Sequence, residues 1–199
     1  MLRDLISIMG SGSVLGYFLQ VVPITGVVGI IYILIRISSI RKNAEVINLQ
    51  TEFIRFLFVC YMTGLVSLVI LPVNFWLYFF EGVFFREWDE LLPIFSFGNI
   101  NLVPSVFRVL YGELILGRWV KTMIVGNIFM FLPLGFFCYV TSKVDYRRIL
   151  RVSIVIPLII EILQLCFGRS FDVDDLICNF IGIISGYIIA VLFTGKADE

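Results

Sequence analysis

Long stretches without any charged side chain restrict what this chain can fold into. Four such stretches have no charge at all, and a fifth apolar run, residues 152–167, is interrupted only by Glu161. Each of the four uncharged stretches can hold the ~20 apolar residues that a helix needs to cross a bilayer. A β-barrel would instead show short alternating segments, so the pattern predicts an all-α integral membrane protein. The four uncharged stretches lie between Asp4 and Arg36, Arg55 and Glu81, Lys121 and Lys143, and Asp175 and Lys196.

The number of these runs predicts a five-transmembrane-helix bundle that forms a single membrane domain over residues 1–199. The composition agrees, because 60% of the residues are hydrophobic and the mean hydropathy is +1.02, far above soluble domains. The second and third helices are expected to be joined by a long extracellular loop. The predicted helices cover about residues 14–37, 56–73, 120–141, 150–167 and 175–194.

Basic residues indicate the orientation of the predicted bundle. They concentrate in the connectors after the first and third helices, which lie on one side of the membrane in a five-helix arrangement. By the positive-inside rule that side is the cytoplasm. The N-terminus, the long loop and the loop before the last helix are then outside, and the C-terminus is cytoplasmic. The residues concerned are Arg36, Arg41, Lys42 and Arg55, then Lys143, Arg147, Arg148 and Arg151.

Polar side chains inside three predicted helices fall at similar depth below the outer face. At 1.5 Å per residue, Asn127 lies ~12 Å deep, Glu161 ~9 Å, Gln164 ~5 Å and Asn179 ~6 Å. Glu161 and Gln164 share one helical face. An ionisable group at such depth usually faces the bundle interior or a wet cavity, and it indicates a functional site by default.

The segment between the last two helices, residues 168–175, adds three aspartates and Arg169 to this layer. Several structural interpretations remain open. The amides could link helices by hydrogen bonds, Glu161 could pair with Arg169, and Asp174 or Asp175 could cap the last helix. The aspartates could also bind a divalent cation, but they lack an ordered ligand spacing. We therefore predict no metal site and no cofactor.

Other sequence features exclude several classes of function. The net charge is zero, which gives no case for nucleic-acid binding. The four cysteines are scattered without CxxC spacing and are interpreted as small packing residues. The chain has no histidine, which excludes histidine-based phosphatase and Ser-His chemistry. Gly182 and Gly186 form a GxxxG pair, a common helix-packing motif.

Four further segments follow one another along the second half of the chain: Asn101-Leu102-Val103-Pro104, then Gly126-Asn127-Ile128-Phe129-Met130-Phe131-Leu132-Pro133-Leu134-Gly135-Phe136, then Glu161-Ile162-Leu163-Gln164, then Gly168-Arg169-Ser170-Phe171-Asp172-Val173-Asp174-Asp175-Leu176-Ile177-Cys178-Asn179. In this order they resemble the VanZ-like family over about residues 99–187. One departure is Ser105, because the family usually continues the first segment as Asn-Leu-x-Pro-Phe, and this leaves the packing of the external loop open.

The resemblance implies a bacterial plasma-membrane protein that confers low-level resistance to teicoplanin and related lipoglycopeptides, without a defined biochemical activity. Beyond the lipid bilayer, the expected partner is the drug or a lipid-linked cell-wall precursor, bound at an outward-facing polar pocket. The alternative is an enzyme acting on a precursor or lipid headgroup, with Glu161 as acid or base. A scaffold or small transporter ranks below both. The predicted site residues are Asn101, Asn127, Glu161, Gln164, Arg169, Asp172, Asp174, Asp175 and Asn179.

Overall fold

The structure, a computed structural model, describes residues 2–43, 47–88, 95–111 and 117–194, and these are mostly helical. Two strands of two residues each pair in parallel. The helices are α1 (Leu2–Met9), α2 (Val14–Asn43), α3 (Leu49–Val69), α4 (Phe75–Phe85), α5 (Ser105–Leu110), α6 (Arg118–Ser142), α7 (Tyr146–Cys166) and α8 (Val173–Thr194), and the strands are β1 (Ile100–Asn101) and β2 (Phe171–Asp172).

Five of these helices are long and apolar enough to cross a membrane: α2, α3, α6, α7 and α8. The predicted fold class, an all-α protein with five membrane-spanning helices, is therefore confirmed. Within the predicted long loop, α4, β1 and α5 provide regular structure. Residues 89–94 and 112–116 of that loop lie outside the described residues. The side of the membrane on which the loop lies stays a prediction.

The first span begins at Val14 as predicted, but its predicted end and both predicted boundaries of the second span are wrong. The helix α2 continues to Asn43 and α3 already begins at Leu49. Basic residues in the last turn of α2 suit the negative end of the helix dipole, and Asn48 caps α3 by accepting the backbone N–H groups of Gln50 and Thr51. Charged side chains mark the end of an apolar stretch, but a helix can extend past that point into the polar layer.

The chain divides into two compact units, residues 1–96 and 97–199. In the first unit α1 packs against α2 and α4, with Ile6, Met9 and Leu77 at the core. The buried side chain of Gln20 joins these helices, because its Nε2 donates to the Met9 carbonyl at 2.9 Å and to Asn74 Oδ1 at 3.0 Å. An amide at this position satisfies polar groups that would otherwise be buried without partners.

The second unit is organised around α8, which packs mainly against α6 and also against α7. The backbones of α6 and α8 approach so closely that a Cβ at Gly186 would overlap the carbonyl of Leu132, and one at Gly135 would overlap that of Ile183. Gly182 faces Ile128 in the same way. The prediction that Gly182 and Gly186 mark a helix-packing face is confirmed.

Replacing Gly135 with alanine is expected to lower the free energy of unfolding by about 1–3 kcal/mol, because the added methyl group overpacks the α6–α8 contact. Gly126 in the same helix provides the matched control, since a Cβ there meets nothing within 4 Å. Gly126→Ala should stabilise by about 0.5–1 kcal/mol through the lower entropy of the unfolded chain. Thermal unfolding in detergent, followed by circular dichroism, measures the stability of both variants. Equal effects of Gly135→Ala and Gly126→Ala would contradict the close approach of the α6 and α8 backbones.

Candidate functional site: a polar cluster at the ends of α7 and α8

The helix α7 presents Glu161 and Gln164 to the interior of the second unit. Its buried residues recur every three or four positions and form a single stripe, as expected for one face of a helix. The opposite face is apolar and exposed, with Ile154, Val155 and Ile162 among its residues. Two polar side chains therefore lie on the inward face of a helix whose outward face suits lipid. The stripe consists of Ile149, Ser153, Pro157, Ile160, Glu161 and Gln164.

After α7 the chain reverses direction in a tight turn. The carbonyl of Gln164 accepts the backbone N–H groups of Phe167 at 2.9 Å and of Arg169 at 3.0 Å. Gly168 has a φ of 75°, a left-handed conformation that glycine adopts without steric cost. The turn places residues 169–172 so that their backbone N–H groups donate to the Asn99 carbonyl and to the Glu161 carboxylate.

A short parallel pairing, here called the clamp and formed by residues 98–101 and 169–172, holds this turn. In β1 and β2, Ile100 lies opposite Phe171 and Asn101 opposite Asp172. The N–H of Phe171 donates to the Asn99 carbonyl at 2.8 Å. A Cβ at Gly98 would overlap the carbonyl of Arg169. The two backbone segments are therefore closer together than any residue other than glycine would allow at position 98.

The polar cluster comprises the side chains of Asn101, Asn127, Glu161, Gln164, Arg169, Asp172, Asp174, Asp175 and Asn179. Asp172 has the most connections among them. Its backbone N–H donates to Glu161 Oε2 at 2.9 Å, and its Oδ2 accepts from Asn101 Nδ2 at 3.0 Å. Its Oδ1 accepts the N–H of Asp174 at 2.9 Å, which is the contact of a helix N-cap. The sequence had suggested Asp174 or Asp175 for this capping role. Asp172 takes it because α8 begins at Val173, two residues earlier than predicted.

The other two aspartates bind groups outside α8. Both oxygens of Asp174 accept the backbone N–H of Ser105, at 3.1 and 2.9 Å, and so cap the start of α5. Because this contact uses only the backbone of residue 105, the serine at that position is compatible with it. Asp175 accepts a hydrogen bond from Asn127 of α6. Each of the three aspartates thus has a definite structural partner.

Two buried oxygens of the cluster accept no hydrogen bond from the residues that the structure describes: Glu161 Oε1 and Asn179 Oδ1. We call them the acceptor pair. Glu161 is 0% exposed and Asn179 2%. Asp175 lies one turn before Asn179 on α8 and is close enough to Glu161 to interact with it electrostatically. A buried acceptor without a donor is uncommon in proteins and requires an explanation.

Arg169 supplies positive charge to this region, since it interacts electrostatically with both Glu161 and Asp175. Gln164 is buried on α7, 3% exposed. No three histidine, cysteine, aspartate or glutamate residues in the described part of the chain are arranged to hold a metal ion. The four cysteines, Cys60, Cys138, Cys166 and Cys178, are free thiols.

The nine predicted site residues all lie in the second unit. Asp172 is hydrogen-bonded to three of them, Asn101, Glu161 and Asp174, and Asn127 and Asp175 form a further pair. Sequence reasoning missed the clamp, including the backbone of Gly98, Asn99 and Phe171. Strands of two residues have no detectable periodicity, so the only signal was the glycine at position 98. That these residues bind a ligand stays a prediction.

Comparison with known proteins identifies one protein family. A family model described as VanZ/LLP1 matches residues 58–194. The matched range begins within α3 and includes every residue of the clamp and of the polar cluster. No curated protein and no solved structure matches the chain.

Removing the Asp174 carboxylate is expected to loosen α5. Asp174→Ala leaves the Ser105 N–H without its acceptor, and losing a helix cap costs about 0.5–2 kcal/mol. Hydrogen exchange of residues 105–111 should therefore accelerate by about tenfold, which corresponds to 1.4 kcal/mol. Asp145→Ala is the control, because Asp145 caps α7 through the Arg148 N–H. An equal response of residues 105–111 to both variants would show that Asp174 has no specific role there.

Proposed function

The chain belongs to the VanZ/LLP1 family, and from this membership and the geometry of the polar cluster we propose that it lowers susceptibility to teicoplanin and related lipoglycopeptides. It does so by binding the drug, or a lipid-linked cell-wall precursor, at the polar cluster. The protein is a multi-pass membrane protein with five helices able to span the bilayer. The proposal concerns its ligand and the side of the membrane on which the ligand binds.

The acceptor pair is the observation that carries this proposal. The carboxylates of Asp172, Asp174 and Asp175 are all engaged in structural hydrogen bonds, whereas Glu161 Oε1 and Asn179 Oδ1 are buried without donors. Leaving a buried acceptor unpaired costs about 1–3 kcal/mol. A ligand that supplies hydrogen-bond donors recovers this cost, so these two oxygens favour binding.

The distribution of charge along α7 supports an outward-facing cluster. Its first turns carry Arg147, Arg148 and Arg151, and Glu161 and Gln164 lie near its other end. A helix of 21 residues is ~30 Å long, the thickness of the hydrocarbon core. By the positive-inside rule the arginines are cytoplasmic, and the cluster then opens to the outside, where lipoglycopeptides act.

The surroundings of the cluster suit an amphiphilic ligand. Ile162 on α7 and Ile177 and Ile181 on α8 are exposed at 51%, 45% and 42%. These apolar side chains occupy the same helical turns as Glu161 and Asn179. A ligand with a polar head and an acyl tail can place its head at the cluster and its tail along this exposed apolar surface.

Titration of the purified protein with teicoplanin tests the proposal. Glu161→Gln removes the charge while nearly keeping the volume, and we expect it to weaken binding at least tenfold, or about 1.4 kcal/mol. Asp145→Asn, at the opposite end of α7, is the control and should bind like the wild type. The same two variants should respectively lose and keep resistance when expressed in a susceptible Gram-positive host. Wild-type binding by Glu161→Gln would exclude Glu161 from the site.

A second candidate function is an enzyme that modifies a lipid or precursor headgroup. Glu161 Oε1, the oxygen without a hydrogen-bond donor among the described residues, favours this function, because a general acid or base needs one oxygen that can exchange a proton with the substrate. Mass spectrometry of lipid and precursor pools, with and without expression of the protein, distinguishes the two functions. A new species that appears with the wild type and disappears with Glu161→Gln would establish catalysis. Unchanged pools would leave binding as the function.

A further inference from the structure

We propose that the acceptor pair recognises a protonated primary amine on the ligand, and not a phosphate or carboxylate. This inference deepens the proposed function and rests on it, since it names the chemical group that binds. It also predicts which part of either ligand binds, namely an amine and not the pyrophosphate of a lipid-linked precursor. The argument depends on hydrogen-bond direction, on charge and on the partners that already engage the aspartates.

Hydrogen-bond direction requires a donor. Asn179 Oδ1 is an amide oxygen and can only accept, and Glu161 Oε1 likewise can only accept while the carboxylate is ionised, which is the form that pairs with an ammonium group. An ammonium group offers three N–H donors and no acceptor. A phosphate or carboxylate offers acceptors, so at these two oxygens it would bring acceptor against acceptor. The pair therefore selects a donor group.

Charge gives the same selection. Glu161, Asp172, Asp174 and Asp175 are four carboxylates connected by hydrogen bonds or electrostatic contact, and Arg169 is the one cation shown to interact with them among the described residues. This excess of acidic groups repels an anionic head and attracts a cationic one. Hydrogen bonds between an ammonium group and a carboxylate are also stronger than those between neutral groups.

The arrangement of the acidic groups favours an organic cation over a metal ion. Among the described residues no three carboxylate, thiol or imidazole groups are placed to chelate a metal. The aspartates are committed to Ser105, Asn127 and Asp174 by their hydrogen bonds. What remains is one carboxylate oxygen and one amide oxygen, two acceptors that an ammonium group can use, whereas Ca²⁺ takes about 6–8 oxygen ligands.

Access to these oxygens depends on the clamp. Glu161 is fully buried, and the backbone N–H of Asp172 binds its other oxygen, Oε2. The amine reaches Oε1 when the segment around Asp172 opens. Only two residues on each side of the clamp pair as strands, and opening the clamp breaks the hydrogen bonds of Asp172 to Asn101 and Glu161, a local change that does not require the helices to separate. The cover can thus admit the amine while α6, α7 and α8 remain packed.

Capping the amine of the ligand tests the inference without changing the protein. The full-length protein is titrated with teicoplanin and with its N-acetylated derivative, which lacks the positive charge. For the wild type we expect acetylation to weaken binding at least tenfold; for Glu161→Gln we expect less than a twofold difference. Equal binding of both forms to the wild type would overturn the inference and leave the proposed function intact.

A lipid headgroup could supply the same amine, and a competition experiment identifies the source. Vesicles of phosphatidylethanolamine and of phosphatidylglycerol are offered against labelled teicoplanin. Competition by the ethanolamine lipid alone supports the inference and adds the lipid as a source, whereas stronger competition by the glycerol lipid overturns it. If neither lipid competes while acetylation weakens binding, the drug is the source. If teicoplanin does not bind at all, the proposed function fails, and direct binding of the two lipids decides the inference.

Substitutions at Asn179 provide an independent check. Asn179→Leu removes the oxygen and keeps the number and branching of the side-chain heavy atoms, and it should reduce the effect of acetylation. Asn179→Asp keeps an oxygen there and adds charge, so it should preserve or increase the effect. Thermal unfolding of both variants identifies any general loss of structure. An effect of acetylation that is the same in Asn179→Leu and the wild type would exclude Asn179 from recognition of the amine.

Discussion

The hydrogen bond from the backbone of Asp172 to the carboxylate of Glu161 is the contact on which the polar cluster depends. A carboxylate buried in an apolar bundle is costly unless it is hydrogen-bonded, and this N–H is the donor that the structure provides for it. The same residue binds Asn101 and caps α8. One aspartate therefore links the loop before α6, the end of α7 and the start of α8, and displacing it would affect all three.

The helix packing below the cluster makes these contacts possible. Glycines at the α6–α8 contact allow the two backbones to touch, and this brings the first turn of α8 beside Asn127 of α6. In a membrane, where lipid tails compete with apolar side chains, such close backbone packing is a main source of helix association. The polar groups are thus held by a rigid pair of helices, while the segments that cover them are short.

Sequence reasoning predicted the elements that depend on composition and missed those that depend on local geometry. Uncharged runs gave five spans, and counting the rise per residue predicted that Asn127, Glu161 and Asn179 lie at similar depth. The role of Asp172 could not be predicted, because it follows from a helix start two residues earlier than the last uncharged run suggests. The clamp has no sequence periodicity, and the unpaired state of Glu161 Oε1 depends on the side chains that its neighbours happen to bind.

The clamp also has a consequence for biosynthesis. Its two halves are far apart in the chain, with Asn101 and Asp172 separated by 71 positions, and both α6 and α7 lie between them. Two membrane crossings return the chain to the side from which it started, so β1 and β2 can meet only after both helices have been inserted. Ser105, Asn101 and Glu161 find their partners at that stage. The polar cluster is therefore among the last parts of the molecule to assemble, and a chain with either helix misinserted would lack it.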